Sequence, residues 1–317
     1  MQYRPLGRSG IEVSTISLGS WLTFGHKTDE AATVKCVRRA FDLGVNLFDT
    51  ANVYAAGRAE EVLGGALAPL PRHEYVLATK AYFPVGPGPN DRGLSRKHIL
   101  EQVHMSLGRL GTDYVDLFQC HRYDEETPLD ETLRAIDDLI TQGKVLYGGV
   151  SMWSVDNIED AVQLGGELGF RRLVSNQPQY HMFQPEIETN GVLEACAREG
   201  LGLIIYSPLA RGLLSGKYTS IEDVPADSRA ADEVGKTFMG PWFSEDGLQK
   251  VGRLKGIADD AGITLSEMAL AWCLRLPDIT SAIIGATKIS HVEENARASD
   301  IVLAGDVLEA IDEALGG

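Results

Sequence analysis

Rhythm is the strongest constraint on this chain. Short runs rich in Val, Ile and Leu alternate with segments of helical period from residue 16 almost to the end. The runs are residues 16 to 20, VNLFD, EYVLATK, YVDLFQC, VLYGGVS, LVSNQ, LGLIIY and SAIIG. Between them, apolar residues recur at helical spacing over about 29 to 43, 58 to 68, 95 to 109 and 130 to 142. The pattern continues through SVDNIEDAVQLG, EIETNGVLEACAREG, and about 244 to 260 and 264 to 275. Runs that are apolar throughout suit strands buried on both faces, the condition of a parallel sheet covered by helices. Eight such units in 317 residues predict an α/β protein, a (β/α)8 TIM barrel. Residues 1 to 17 read as a β-hairpin turning through Pro5 to Gly10. The segment 210–243, after the seventh strand, is too long for an ordinary connection and predicts a functional loop. No linker, repeat or low-complexity tract divides the chain, so residues 1–317 are expected to form a single barrel domain.

An open dinucleotide-binding sheet would carry a glycine fingerprint between its first strand and helix. LGSWLTFG has the wrong spacing and REGLGLII precedes a strand. GLLSGKY has three residues between its glycines where a phosphate loop has four, and Tyr218 stands where the magnesium-binding hydroxyl belongs. A net charge of -16 disfavours nucleic acid as a partner. No stretch approaches the roughly 18 apolar residues of a membrane span, and the N-terminus has no apolar leader, so a soluble cytoplasmic protein is expected. Cys36, Cys120, Cys196 and Cys273 have neither zinc-ligand nor redox-pair spacing and read as buried free thiols. The seven histidines include no H-x-H or H-E-x-x-H, so no metal site is expected.

Four residues at the ends of the second, third and fourth runs carry the chemistry: Asp49, Tyr54, Lys80 and His121. Strand C-terminal ends are where a parallel α/β protein gathers its active site. Neighbouring strands lie about 4.8 Å apart, so Asp49 and Lys80 are placed to pair. A tyrosine hydroxyl titrates near ~10, and a nearby ammonium favours its phenolate, so Lys80 is expected to lower the Tyr54 pKa. Such a group suits protonating a developing alkoxide, with hydride supplied by a cofactor because no side chain delivers it. Singly, each residue has a structural explanation: a solvated strand-end lysine, a core histidine. Four compatible groups on three consecutive strand ends make the case.

The segments FDTANVYAAGRAEEVLG, LATK, GLSRKHI, QCHR, TQGKVLYGGVS, NQPQYHMFQ, YSPLARGLLSGKY and IIGATKISHVEENARA resemble the aldo-keto reductases. The likeness is to the branch containing the potassium-channel β-subunits and their bacterial relatives. It implies a barrel that binds NADP(H) without a dinucleotide-binding sheet, NADP(H) being preferred and NAD(H) the second carrier. It assigns Tyr54 as general acid, Lys80 and Asp49 as the pair that tunes it, and His121 as the donor to the substrate carbonyl. It implies nicotinamide contacts from Ser151, Gln177 and Tyr206, with Gly19, Ser20, Trp21 and Asp49 alongside. Met152 stands where the family usually carries Asn. The rest of the cofactor is expected along Ser207, Leu209, Gly212, Leu213, Gly216, Lys217 and Arg229, and then Gly285, Thr287, His291, Glu294 and Asn295. Trp21, Tyr54, Tyr82, Phe83, His121, Trp153 and Trp242 are the candidates to wall the substrate pocket.

The implied function is reversible reduction of an aldehyde or ketone. The alternative is a cofactor-sensing, channel-subunit-like protein with slow catalysis, and His121 separates the two because channel β-subunits typically carry Asn there. The chain also shows no long inactivating extension before the hairpin. The expected partner is a small carbonyl or alcohol substrate, with neither nucleic acid nor membrane. A homo-oligomer is allowed by the branch, whose members include tetramers.

Overall fold

Each strand run of the sequence becomes a strand in the computed structural model, which describes residues 1–26 and 28–316. Lys27 and Gly317 of the expected domain lie outside the described residues. The hairpin forms from β1 (Tyr3–Pro5) and β2 (Glu12–Ser14), antiparallel with Tyr3 opposite Ser14. Eight parallel strands follow: β3 (Ile16–Gly19), β4 (Leu47–Asp49), β5 (Val76–Ala81), β6 (Val115–Cys120), β7 (Val145–Ser151), β8 (Leu173–Gln177), β9 (Gly202–Tyr206) and β10 (Ile279–Ile284). They close into a barrel in chain order, β10 pairing with β3. The chain is a (β/α)8 TIM barrel with an N-terminal hairpin.

The helices around it are α1 (Glu30–Asp42), α2 (Arg58–Leu67), α3 (Arg96–Leu110), α4 (Leu129–Thr141), α5 (Val155–Leu168), α6 (Val192–Glu199), α7 (Glu245–Asp260), α8 (Leu265–Leu274), α9 (Ile289–Arg297) and α10 (Gly305–Leu315). Their ends follow local side-chain chemistry. Asp29 accepts from the Ala32 amide to start α1, and Ser154 and Thr264 close capping boxes on α5 and α8. Gly111, Gly169 and Gly200 take the left-handed conformation that ends α3, α5 and α6.

Two elements depart from the sequence expectation. The run EIETNGVLEACAREG divides into a single turn at Glu186–Glu188 and α6, because Gly191 adopts φ 85° between them. The last helix, α10, lies beyond the final predicted element; Ile311 and Ala314 are its buried residues, and the Ala314 carbonyl accepts from Arg253 at 2.7 Å.

The hairpin closes one end of the barrel. Leu6 and Val13 are fully buried among Leu47, Val76, Leu117, Val174 and Ile204. Gly7 has φ 57°, and a Cβ there would lie 2.3 Å from the Gly200 carbonyl oxygen, so only glycine fits this close approach. The opposite end is left open for the loops that follow the strands. The long loop after β9 begins with a 3-10 segment at Ala210–Ser215 and has a second at Gly235–Phe238. It folds back on itself through Arg211 Nη1 to the Phe238 carbonyl (2.6 Å), and Phe238 packs edge-on against Trp21 at 5.3 Å between centroids.

Candidate active site

Alternate residues of a strand face the same side of the sheet, and β4, β5 and β6 change chemistry along the lumen. Leu47, Ala78 and Leu117 belong to the apolar interior; two residues further on stand Asp49, Lys80 and Gln119. Asp49 lies opposite Ala78, and Lys80 opposite Gln119. Lys80 therefore springs from one step above Asp49, and its long stem returns to it. The ammonium is 2.5 Å from Asp49 Oδ1 and donates to the Thr50 carbonyl at 2.8 Å. Lys80 is 0% exposed and Asp49 4%. The other Asp49 oxygen accepts from Gln177 (3.0 Å) and Gln119 (3.4 Å), so a four-residue polar layer caps the apolar lumen.

Tyr54 and His121 sit above this layer. After β4 the chain passes through a tight turn, Tyr54–Gly57, in which Ala55 and Ala56 have φ 48° and 53°, a strained backbone of the kind that clusters at functional sites. The turn brings the Tyr54 hydroxyl to 3.4 Å from His121 Nε2. The Lys80 ammonium is 5.2 Å from the centre of the Tyr54 ring, and its hydrogen bonds go to Asp49 and Thr50. The expected lowering of the Tyr54 pKa is therefore corrected. Removal from water and then the Asp49 charge push it well above the ordinary tyrosine value, outweighing the opposing pull of Arg122. His121 is held well below the ordinary histidine value by burial, then by Lys80 and Arg122. Among the described residues its buried Nδ1 has no partner. Burial also lowers Lys80, against the attraction of Asp49.

A cleft of about 850 Å³ runs from this group across the open end of the barrel. The sequence-predicted cofactor positions line it, except Ser20, Leu213 and Gly216. The Ser20 hydroxyl is turned to Thr50 Oγ1 at 2.9 Å, and Leu213 is 0% exposed in the core. Among the predicted pocket aromatics, Trp21, Tyr54, Phe83 and His121 line the cleft. Tyr82, Trp153 and Trp242 do not, which corrects that expectation. Tyr82 packs edge-on against Phe83, and Trp242 against His181. Met152 turns the chain at φ 58°, and Trp153 faces Tyr123 and a separate cavity of about 490 Å³. Arg122 and Arg211 also line the cleft; sequence reasoning passed over both, although Arg122 directly follows the His121 it singled out.

The cleft carries polar groups that could hold a nicotinamide dinucleotide. The Gln177 amide nitrogen is engaged by Asp49 and Gln119 (3.3 Å), which leaves its amide oxygen for a carboxamide. Ser151 lies beside it, donating to the Gln177 carbonyl at 2.9 Å. At the far end, the N-terminus of α9 has no side-chain cap, so its first amides are available to an anion. Lys217 and Arg229 face the same region. The Lys217 pKa is lowered by desolvation and by the repulsion of Arg229 and Lys288, relieved in part by Asp227, the electrostatics of a place that favours an added anion.

Residues 15–315 match the model of the aldo/keto reductase family. The chain belongs to this family. Aldo/keto reductases generally use NADP(H), and membership supports oxidoreductase chemistry on carbonyl compounds. This aldo/keto reductase is 43% identical over 320 residues to a probable voltage-gated potassium channel subunit beta of Arabidopsis thaliana, covering 99% of this chain and 97% of the relative. It is 42% identical to the probable subunit beta of Oryza sativa subsp. japonica, covering 98% and 96%, and 39% identical to the putative subunit beta of Schizosaccharomyces pombe, covering 99% and 93%. Among the described residues, no helix is long and apolar enough to cross a membrane.

Proposed function

We propose that this aldo/keto reductase reduces an aldehyde or ketone to the alcohol, reversibly, with NADP(H) preferred over NAD(H). The observation that carries the reading is the pairing of the Tyr54 hydroxyl with His121 Nε2, 3.4 Å apart, above a buried Lys80–Asp49 ion pair at the end of the cleft. A reduced nicotinamide dinucleotide, when bound, supplies hydride to the carbonyl carbon. Tyr54 gives its proton to the carbonyl oxygen. His121, neutral because of its burial, orients that oxygen through Nε2. A raised tyrosine pKa keeps the hydroxyl protonated until the oxygen becomes basic enough to take the proton. The Lys80 ammonium, 5.2 Å from the centre of the Tyr54 ring, is the nearby positive charge once the phenolate has formed, and Asp49 fixes the lysine. Ser151 and Gln177 orient the carboxamide, Tyr206 flanks the ring, and Lys217 and Arg229 favour the extra phosphate of NADP(H).

We also propose that residues 1–317 act as one barrel domain on a small carbonyl or alcohol substrate in the cytoplasm. A second reading has support from the relatives, whose names are those of channel β-subunits: a cofactor-sensing binding protein with slow catalysis. His121 favours the enzyme. The test is a panel of aldehydes, ketones and sugars offered with NADPH and with NADH, following loss of the reduced-nicotinamide absorbance. Repeated turnover with NADPH supports the reductase; oxidation that stops after one equivalent per chain, across the panel, supports the sensor.

A further inference from the structure

Three guanidinium groups line the cleft; Arg229 stands with Lys217, and among the described residues neither of the other two, Arg122 and Arg211, forms an ion pair. Arg122 follows His121, is half-buried, and donates from Nη1 to the His121 carbonyl at 2.6 Å. A guanidinium carries five N–H donors; the Tyr206 hydroxyl is also within reach of this one, and the remaining donors are left over. It stands over the Phe83 ring, 5.3 Å from the centroid, and both residues line the cleft with Tyr54 and His121. Arg211, also half-buried, reaches the Phe238 carbonyl and Gln179 Oε1, and its Nε is buried without a partner. It has φ 59°, a conformation that costs energy in a residue other than glycine.

The carboxylates of the cleft leave this charge unanswered. Asp49 is engaged by Lys80, Gln119 and Gln177. Asp227 pairs with Lys288 at 3.0 Å, and Glu294 accepts from Thr264 at 2.9 Å. The Arg122 charge reaches Tyr54 and His121, adding to the lowering of His121 and opposing the raising of Tyr54, in both cases behind the larger effect of burial. It thus lies beside the position of the reacting carbonyl. The cations suited to the cofactor phosphates, Lys217 and Arg229, are separate residues on the long loop.

We infer that the substrate is an oxo acid, whose carboxylate is held by Arg122 while its carbonyl meets Tyr54 and His121, with Arg211 adding to the positive field. A planar guanidinium matches a carboxylate through two parallel N–H donors. This inference rests on the reductase reading above. It makes Arg122 a substrate-binding and specificity residue.

The test compares matched pairs with NADPH: glyoxylate against its methyl ester, and para-carboxybenzaldehyde against its methyl ester. The wild type is expected to prefer each acid by about 10- to 100-fold in kcat/KM, expressed mainly in KM, the range of a charge-assisted hydrogen bond. Arg122→Gln should bring the acid-to-ester ratio close to one, and Arg122→Lys, which keeps the charge and loses the fork, should restore part of it. Because the ratio is taken within one protein preparation, a fraction of misfolded variant does not affect it. Esters reduced as well as the acids by the wild type, or a preference that survives Arg122→Gln, would overturn the inference and leave the reductase standing. Absence of turnover with both forms would overturn the two together.

Discussion

The lower and upper halves of the barrel lumen are built on the same strands and differ in what alternate positions carry. Below, Leu47, Val76, Leu117 and Ile204 pack with Leu6 and Val13 of the hairpin into an apolar plug. Above, further along β4, β5 and β6, stand Asp49, Lys80 and Gln119, joined by Gln177. The lower half gains from burial, at about 25 cal/mol per Å² of apolar surface. The upper half buries an ion pair whose desolvation roughly cancels its attraction. A stable barrel would gain more from an apolar upper layer, so the charges belong to function. The same scaffold is thus stabilised at one end and equipped for chemistry at the other.

Removing one charge should break that division most severely. Asp49→Ala leaves Lys80 buried with only the Thr50 carbonyl and should cost about 3–5 kcal/mol in urea unfolding. Replacing both partners, Asp49→Leu with Lys80→Met, should recover most of that loss while carbonyl reduction stays abolished. A double variant as unstable as the single one would mean that the pair is needed for folding.

Leu117→Ala probes the other half. The loss of a fully buried side chain should cost about 2–5 kcal/mol, with kcat/KM near the wild-type value in the folded protein. A collapse of activity at full folding would show that the two halves are not separable.

The smallest effect is the response to pH. The Tyr54 pKa is raised, so its proton is lost only above the ordinary value near ~10; that of His121 is lowered, so it stays neutral through its ordinary ~6.5. Reduction should therefore run flat from about pH 6 to about pH 9, with no limb from either group. A decline through neutral pH would contradict this arrangement.

The barrel was legible because strands buried on both faces must be apolar throughout, and eight of them announce themselves. The quartet was legible because strand ends are fixed by the same pattern. Other features depend on where backbone turns point side chains. Met152, at a positive φ, sends Trp153 away from the cleft, and Gly191 divides a run whose apolar period continues across it. The Tyr54 pKa was misjudged because lysine is adjacent to its ring and not to its hydroxyl, and removal from water prevails. Arg122 gave no signal, since an arginine after a strand ordinarily reads as a solvated group; only its position in the wall, without a carboxylate, marks it.

As proposed, the upper lumen is proton-transfer machinery with Tyr54 as its acid. Tyr54→Phe removes one oxygen atom and tests this role most directly, with NADPH binding followed by fluorescence titration and turnover by reduced-nicotinamide absorbance. NADPH affinity close to wild type and turnover lowered about 10²- to 10⁴-fold are expected. Undiminished turnover in the Tyr54→Phe protein would contradict this role.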